Sequence, residues 1–282
     1  MSDKVKIPAA LTADLPPTKW GKLLAATPVV MTVIATLLAG LASSEMTRAQ
    51  YDRALGAQLQ SKAGDQWGYF QAKKMRGAMQ HNSLELLQAT TDIRPLGNAA
   101  LEKLPVIVAP ALDASVKAAL DAVEKQGNET ELVAALKPVT DKQLAAALQS
   151  ARDHVHDFDA ALAPAAQSIA QLEKSLPAGD KAAGRDLTAA KMKFNAMRYD
   201  AEAKLNQAIA NLLELQVRKA NISAERHHKR SGKFFFGMLA SQAAVIISTF
   251  AMAARQRNLL WTIAAVAGVA AVAFAIYVYL RV

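Results

Sequence analysis

Three stretches without a charged side chain constrain this chain more than any other feature: Leu23–Ser44, Phe234–Ala254 and Asn258–Leu280. A bilayer core is crossed by roughly 20 apolar helical residues, so all three read as transmembrane helices. The first lies near the N-terminus, the other two are adjacent at the C-terminal end, and a long polar excursion separates them. The map that follows is a tail (1–22), span one (23–44), an outgoing helix (45–92), a helical head (93–180), a return helix (181–233) and two closing spans (234–254 and 258–280).

Between spans one and two the chain is rich in Ala, Lys, Gln, Glu and Leu and poor in aromatics, a composition of long helices rather than sheets. The nearest approach to a strand, Val106-Ile107-Val108, is fenced by Pro105 and Pro110. The expected fold is an all-α membrane protein: three transmembrane helices plus a long antiparallel coiled-coil-like stalk with a small helical head. The net charge of +9 is diluted over mixed-sign helices, so no concentrated basic face argues for nucleic acid. With no cysteine, disulfides, thiolate catalysis and cysteine-ligated metals are excluded.

Short loops report orientation better than long domains do. Lys4, Lys6, Lys19 and Lys22 precede span one, and Arg255 and Arg257 lie in the turn between spans two and three. These belong on one side, taken as the cytoplasm of a bacterial inner membrane, with the excursion extracytoplasmic. Arg226, Lys229, Arg230 and Lys233, just before span two, argue the other way, and are assigned instead to lipid headgroups.

In the outgoing helix, Tyr51, Leu55, Leu59, Trp67 and Phe70 fall at three- and four-residue steps, and Met75, Met79 and Leu86 extend the stripe. On the return, Leu187, Ala190, Phe194, Met197, Ala201, Leu205, Ala208, Leu212, Leu215 and Ile222 keep a near-heptad spacing that reads as a coiled-coil-like seam. Helices of about 50 residues each would reach roughly 75 Å if straight. Six prolines punctuate the head, where helices are expected over about Ala111–Gln126, Glu129–Leu136 and Asp141–Leu176, with Asn128 and Asp141 as caps.

The most distinctive string is Asp65-Gln66-Trp67-Gly68-Tyr69-Phe70-Gln71-Ala72-Lys73. Its residue types favour a packing role, with Trp67 and Phe70 as anchors between helices and Gln71 and Lys73 bonded to a neighbour. The alternative is a ligand or ion site formed by Asp65, Tyr69, Gln71 and Lys73. The string resembles the Asp-x-Trp-x-x-aromatic-Gln-Ala-Lys motif of a bacterial membrane-protein family, domain of unknown function 4337. The resemblance covers about residues 20–92 and 181–282 and leaves out the head. It implies one N-terminal and two C-terminal spans, and no reaction.

Nothing else singles out chemistry. His154 and His156 stand two residues apart, pointing about 200° apart on a helix, so they do not share a metal. No catalytic residue, cofactor or metal is expected. Within the spans, Thr32, Thr36, Gly40 and Ser44 recur every four residues, Gln242 is the most polar side chain, and Gly268 lies in a small-residue repeat. Such spacing serves close helix packing, or a pore lined by span one in a homo-oligomer. The expected partners are the lipid bilayer, further copies of the chain and a protein at the head. The leading functional expectation is a non-enzymatic scaffold or tether of the envelope. A small channel and a receptor or accessory subunit are the alternatives.

Overall fold

The computed structural model describes residues 19–96, 103–104, 112–125, 127–177, 179–253 and 257–281. The tail to residue 18, the Val106-Ile107-Val108 run and the Arg255-Gln256 turn lie outside them, as do the side chains of Trp20 and Arg257. The described elements are all helices: α1 (Lys19–Thr90), α2 (Ala114–Glu124), α3 (Glu129–Leu136), α4 (Asp141–Ser175), α5 (Lys181–Ala253) and α6 (Arg257–Arg281). The apolar stretches of α1, α5 and α6 are each long and apolar enough to cross a membrane.

The chain forms two compact units, one of residues 1–53 and 222–282, the other of 54–221. The first is built on small side chains. Ala35 and Ala42 of α1, Ser241, Ala244, Ser248 and Ala251 of α5, and Ala264 and Ala271 of α6 are all buried. Leu38, Ala42, Phe234, Ala271 and Val278 form its apolar core. A side-chain carbon added at Gly268 would lie 2.0 Å from the Met31 methyl group, so this glycine makes room for Met31. Trp261 donates its indole N–H to the Thr27 hydroxyl at 2.9 Å.

In the second unit α1 and α5 run antiparallel. Trp67 bonds to Glu214, Lys73 pairs with Glu202 and Lys74 bonds to Asp200, the partner number falling as the α1 number rises. The amphipathic α4 buries Phe158, Leu162 and Ala165 against Phe194 of α5. On α5, Leu187, Phe194, Leu212 and Leu215 of the expected seam are buried, while Ala208 is exposed.

The α1 stripe differs from the sequence reading. Trp67, Phe70 and Leu59 are half-buried, but Tyr51, Met75, Met79 and Leu86 are 61–70% exposed. The buried face of α1 instead carries a strict seven-residue repeat: Ala49, Gly56, Ala63, then half-buried Phe70, then Gly77 and Leu84. On α5 a matching repeat of Ala189, Ala196, Ala203, Ala210, Val217 and Ala224 is buried. Small side chains win these positions because they let two backbones approach closely: a carbon added at Gly56 would meet the Ala220 methyl at 3.7 Å, and one at Gly77 the Ala196 carbonyl at 3.6 Å. Large side chains would hold the helices apart.

The head helices start where a side chain can satisfy their first N–H groups. Asn128 caps α3 in a reciprocal arrangement with Glu131. At α4 the cap is Thr140, paired with Gln143, and Asp141 is the first helical residue rather than the cap. The Thr140 hydroxyl can take the Gln143 N–H while its own N–H bonds the Gln143 side chain. Asp113 caps α2, which therefore starts three residues later than the sequence suggested. The Ser115 hydroxyl and then its backbone N–H donate to Asp113, holding that carboxyl below its ordinary range.

Candidate functional site

The distinctive motif splits across two faces of α1. Its inward face is Gln66, Trp67, Phe70 and Lys73. Trp67 stands edge-on to Phe70, ring centres 5.3 Å apart, and donates its indole N–H to Glu214 at 2.8 Å. Gln66 reaches Asn206 on α5. Lys73 pairs with Glu202, which also accepts from Arg198 at 2.6 Å. Both cations lie beside the Tyr199 ring, 5.5 and 5.9 Å from its centre. The Glu202 side chain is only 6% exposed, so this is a buried carboxylate held between two cations. Burial of that charge is tolerable only because both partners are in place.

The outward face is Asp65, Gly68, Tyr69, Gln71 and Ala72, all exposed. Gln66, rather than Gln71, makes the bond to α5. Asp65, Tyr69, Gln71 and Lys73 do not converge: Lys73 turns to α5 while Asp65 and Gln71 face away. Tyr69 and Lys73 do edge a groove of about 420 Å³, closed on its far side by Arg152 and Asp159 of α4 and floored by Glu202 and Asn206. Its mixed signs suit an interhelix polar contact. His154 is half-buried and His156 exposed on α4, and no group of three metal-binding side chains converges among the described residues.

A larger cavity of about 670 Å³ lies where α1 ends, lined by Leu84, Asp92, Arg94, Asp186, Ala190 and Lys193. The Arg94 backbone N–H donates to the buried Asp186 at 3.2 Å, fixing the chain as it leaves α1. Lys219 ties α5 to the α3–α4 junction by donating to the Val139 carbonyl and pairing with Asp141 at 2.9 Å.

In the other unit, polar groups gather just beyond span one. His227 Nδ1 lies 2.5 Å from the buried Glu45 carboxylate, and its Nε2 lies 4.0 Å from Asp52. Ser231 donates to the Ala42 carbonyl at 2.7 Å. These contacts join α1 to α5 and were not legible in the sequence, because nothing in the spacing links residue 45 to residue 227. Of the four residues assigned to lipid headgroups, Arg226 and Lys229 are exposed and Arg230 and Lys233 half-buried. Lys229 pairs with Glu225 at 3.4 Å within α5. Beside them an apolar groove of about 480 Å³ is lined by Ala39, Met46, His228, Phe235, Phe236 and Met238.

The span residues part company. Gly268 is buried against Met31, whereas Thr32, Thr36, Gly40, Ser44 and Gln242 face outward from the unit that holds the three apolar stretches. The Thr32 and Thr36 hydroxyls donate to the Pro28 and Thr32 carbonyls of their own helix, at 2.8 and 2.9 Å. Such back-bonding lets a hydroxyl face an apolar surround without an orphan donor.

The family model of a domain of unknown function, DUF4337, matches residues 20–171. That match takes in the first apolar stretch, the motif and the head as far as α4, so it reaches residues that the sequence resemblance left out, and it stops before 181–282. No curated protein and no solved structure matches the chain.

Proposed function

The chain belongs to the DUF4337 family, and we propose that it is a non-enzymatic, self-associating membrane scaffold or tether acting through its extramembrane helices. The observation that carries this reading is the continuity of α1 and α5. Each is a single helix that includes a membrane-length apolar stretch and a long polar, partner-facing stretch. A partner held on the polar stretch is thereby attached to the bilayer by the same helices that carry the apolar stretches. The excursion is assigned to the extracytoplasmic side of a bacterial inner membrane from the basic residues of the tail and of the 254–258 turn.

The test is oligomeric state and attachment together. The full chain in lipid nanodiscs is expected to give a defined oligomer by mass photometry and no conductance in planar bilayers. A monomer that captures nothing in native membranes sinks the reading. A second reading, a small channel, is favoured by the outward Thr32, Thr36, Gly40 and Ser44 face, which the packing of the three spans leaves free. It predicts conductance that Thr36→Phe abolishes. An alkaline phosphatase fusion within the head, active only outside the cytoplasm, checks the orientation.

A further inference from the structure

Within the unit of residues 54–221, α1 presents large apolar side chains to water on the side turned away from α5. Met75, Met79 and Leu86 are 66%, 61% and 67% exposed. At 100° per residue they fall within an arc of about 40°. Upstream on the same face lie Ala54, Ser61 and Gly64, also exposed. A side-chain carbon added at Gly64 or Gly68 would meet nothing within 4 Å. A mid-helix glycine costs about 1 kcal/mol relative to alanine, and no contact among the described residues explains either one.

We propose that this face of α1 docks on the same face of a second copy, the two helices running antiparallel about a two-fold axis near residue 70. The proposal rests on the self-association proposed above and adds its geometry. A two-fold axis demands a surface that is its own complement, residue i meeting j as j meets i. The face meets that demand by size. Reflected about residue 70, Met79 falls over Ser61 and Leu86 over Ala54, while Met75 falls over Asp65 beside Gly64, so the two outermost bulky side chains of one copy face small ones of the other. Gly68 and Ala72 meet at the centre, where the backbones approach most closely.

The face also meets it by charge. Asp65 and Arg76 are exposed on one flank of the arc and make no ion pair among the described residues. A two-fold axis perpendicular to both helices keeps that flank on the same side in both copies. It therefore sets Asp65 of each copy near Arg76 of the other, giving two symmetric opposite-charge pairs. A parallel pair in register would instead stack Gly64 on Gly64 and Met75 on Met75, leaving a gap at one end and crowding at the other. The motif thus serves two helices: Gln66, Trp67 and Lys73 hold α5, and Asp65, Gly68 and Ala72 address the second copy.

The natural sequence has no cysteine, so introduced thiols report without background. Full-length Ser61→Cys and Met79→Cys chains with different tags, mixed in detergent and mildly oxidised, are expected to give the mixed disulfide at least tenfold above either self-linked product. Asp65→Arg and Arg76→Asp each weaken association about tenfold, from two pairs turned from attraction to repulsion, and the double variant recovers it. Gly64→Leu keeps the helical signal and melting of the parent yet loses the dimer, which separates docking from folding. Self-linked Ser61→Cys in excess, or an oligomer without any 61–79 linkage, overturns the antiparallel register while leaving self-association standing. A chain monomeric under all these conditions overturns both.

Discussion

The Glu202 cluster makes an asymmetric prediction. Of its three charges, the carboxylate is the buried one, at 6% exposure, while Lys73 and Arg198 are 27% and 39% exposed. Lys73→Met leaves one carboxylate oxygen without its cation, although Arg198 still holds the other. Breaking a buried pair outright costs 3–5 kcal/mol, and losing one charged hydrogen bond about 1.5–3. With Arg198 retained, we expect about 2 kcal/mol. Glu202→Gln removes the buried charge itself and leaves two cations on stems long enough to reach water, for about 1 kcal/mol. At about 2–4 °C per kcal/mol for a unit of this size, Lys73→Met should lower the melting midpoint by about 4–8 °C and Glu202→Gln by about half that. Thermal melts of the full chain in detergent, followed by helical circular dichroism, read both. The double variant should be milder than the sum by about 1 kcal/mol. The reasoning fails if Glu202→Gln is as damaging as Lys73→Met, or if the cycle is additive to within about 0.5 kcal/mol.

Four further outcomes follow from the same structure. Trp67→Phe keeps the edge-on ring contact but removes the donor to Glu214, and should cost about 1–2 kcal/mol in the same melts. Gly268→Val collides with Met31 and should destabilise the unit that holds the three apolar stretches by about 1–3 kcal/mol. Gly40→Val has open space around it and should leave that unit's resistance to SDS intact. Asp113, whose folded pKa lies below its reference value of 3.8, contributes to the α2 cap above that pH and loses the contribution as pH falls through the folded value. Hydrogen exchange at Ser115–Lys117 should accelerate over that acid range in the parent chain, and the pH-dependent step should vanish in Asp113→Asn.

The three apolar helices and the head helices were legible in the sequence, since length, charge absence and proline placement act locally. The buried face of α1 was not found, although its signal was present. Following Tyr51, Met75 and Leu86 by size leads to the exposed side, whereas Ala49, Gly56, Ala63 and Gly77 mark the buried one by their strict spacing. Hydrophobic bulk is a good guide to a core filled by side chains and a poor one to an interface closed by backbones. Thr140 and Asp141 are both residue types that cap well, and only the capping partner at Gln143 separates them. The Lys73–Glu202 and Glu45–His227 contacts join residues far apart in sequence, and no single-chain periodicity encodes such a pairing.

The alanine repeats of α1 and α5 invert the usual rule of mutational tolerance. A core of leucines forgives little truncation, because every removed methylene leaves a hole. At Ala63, Ala203 or Ala210, with almost no side chain to remove, the damaging direction is growth: one added isopropyl group wedges the backbones apart along several turns. Substitution there is confined to exchange among glycine, alanine and serine. Random mutagenesis scored for folding should therefore return its most intolerant positions at the small residues of these two buried repeats.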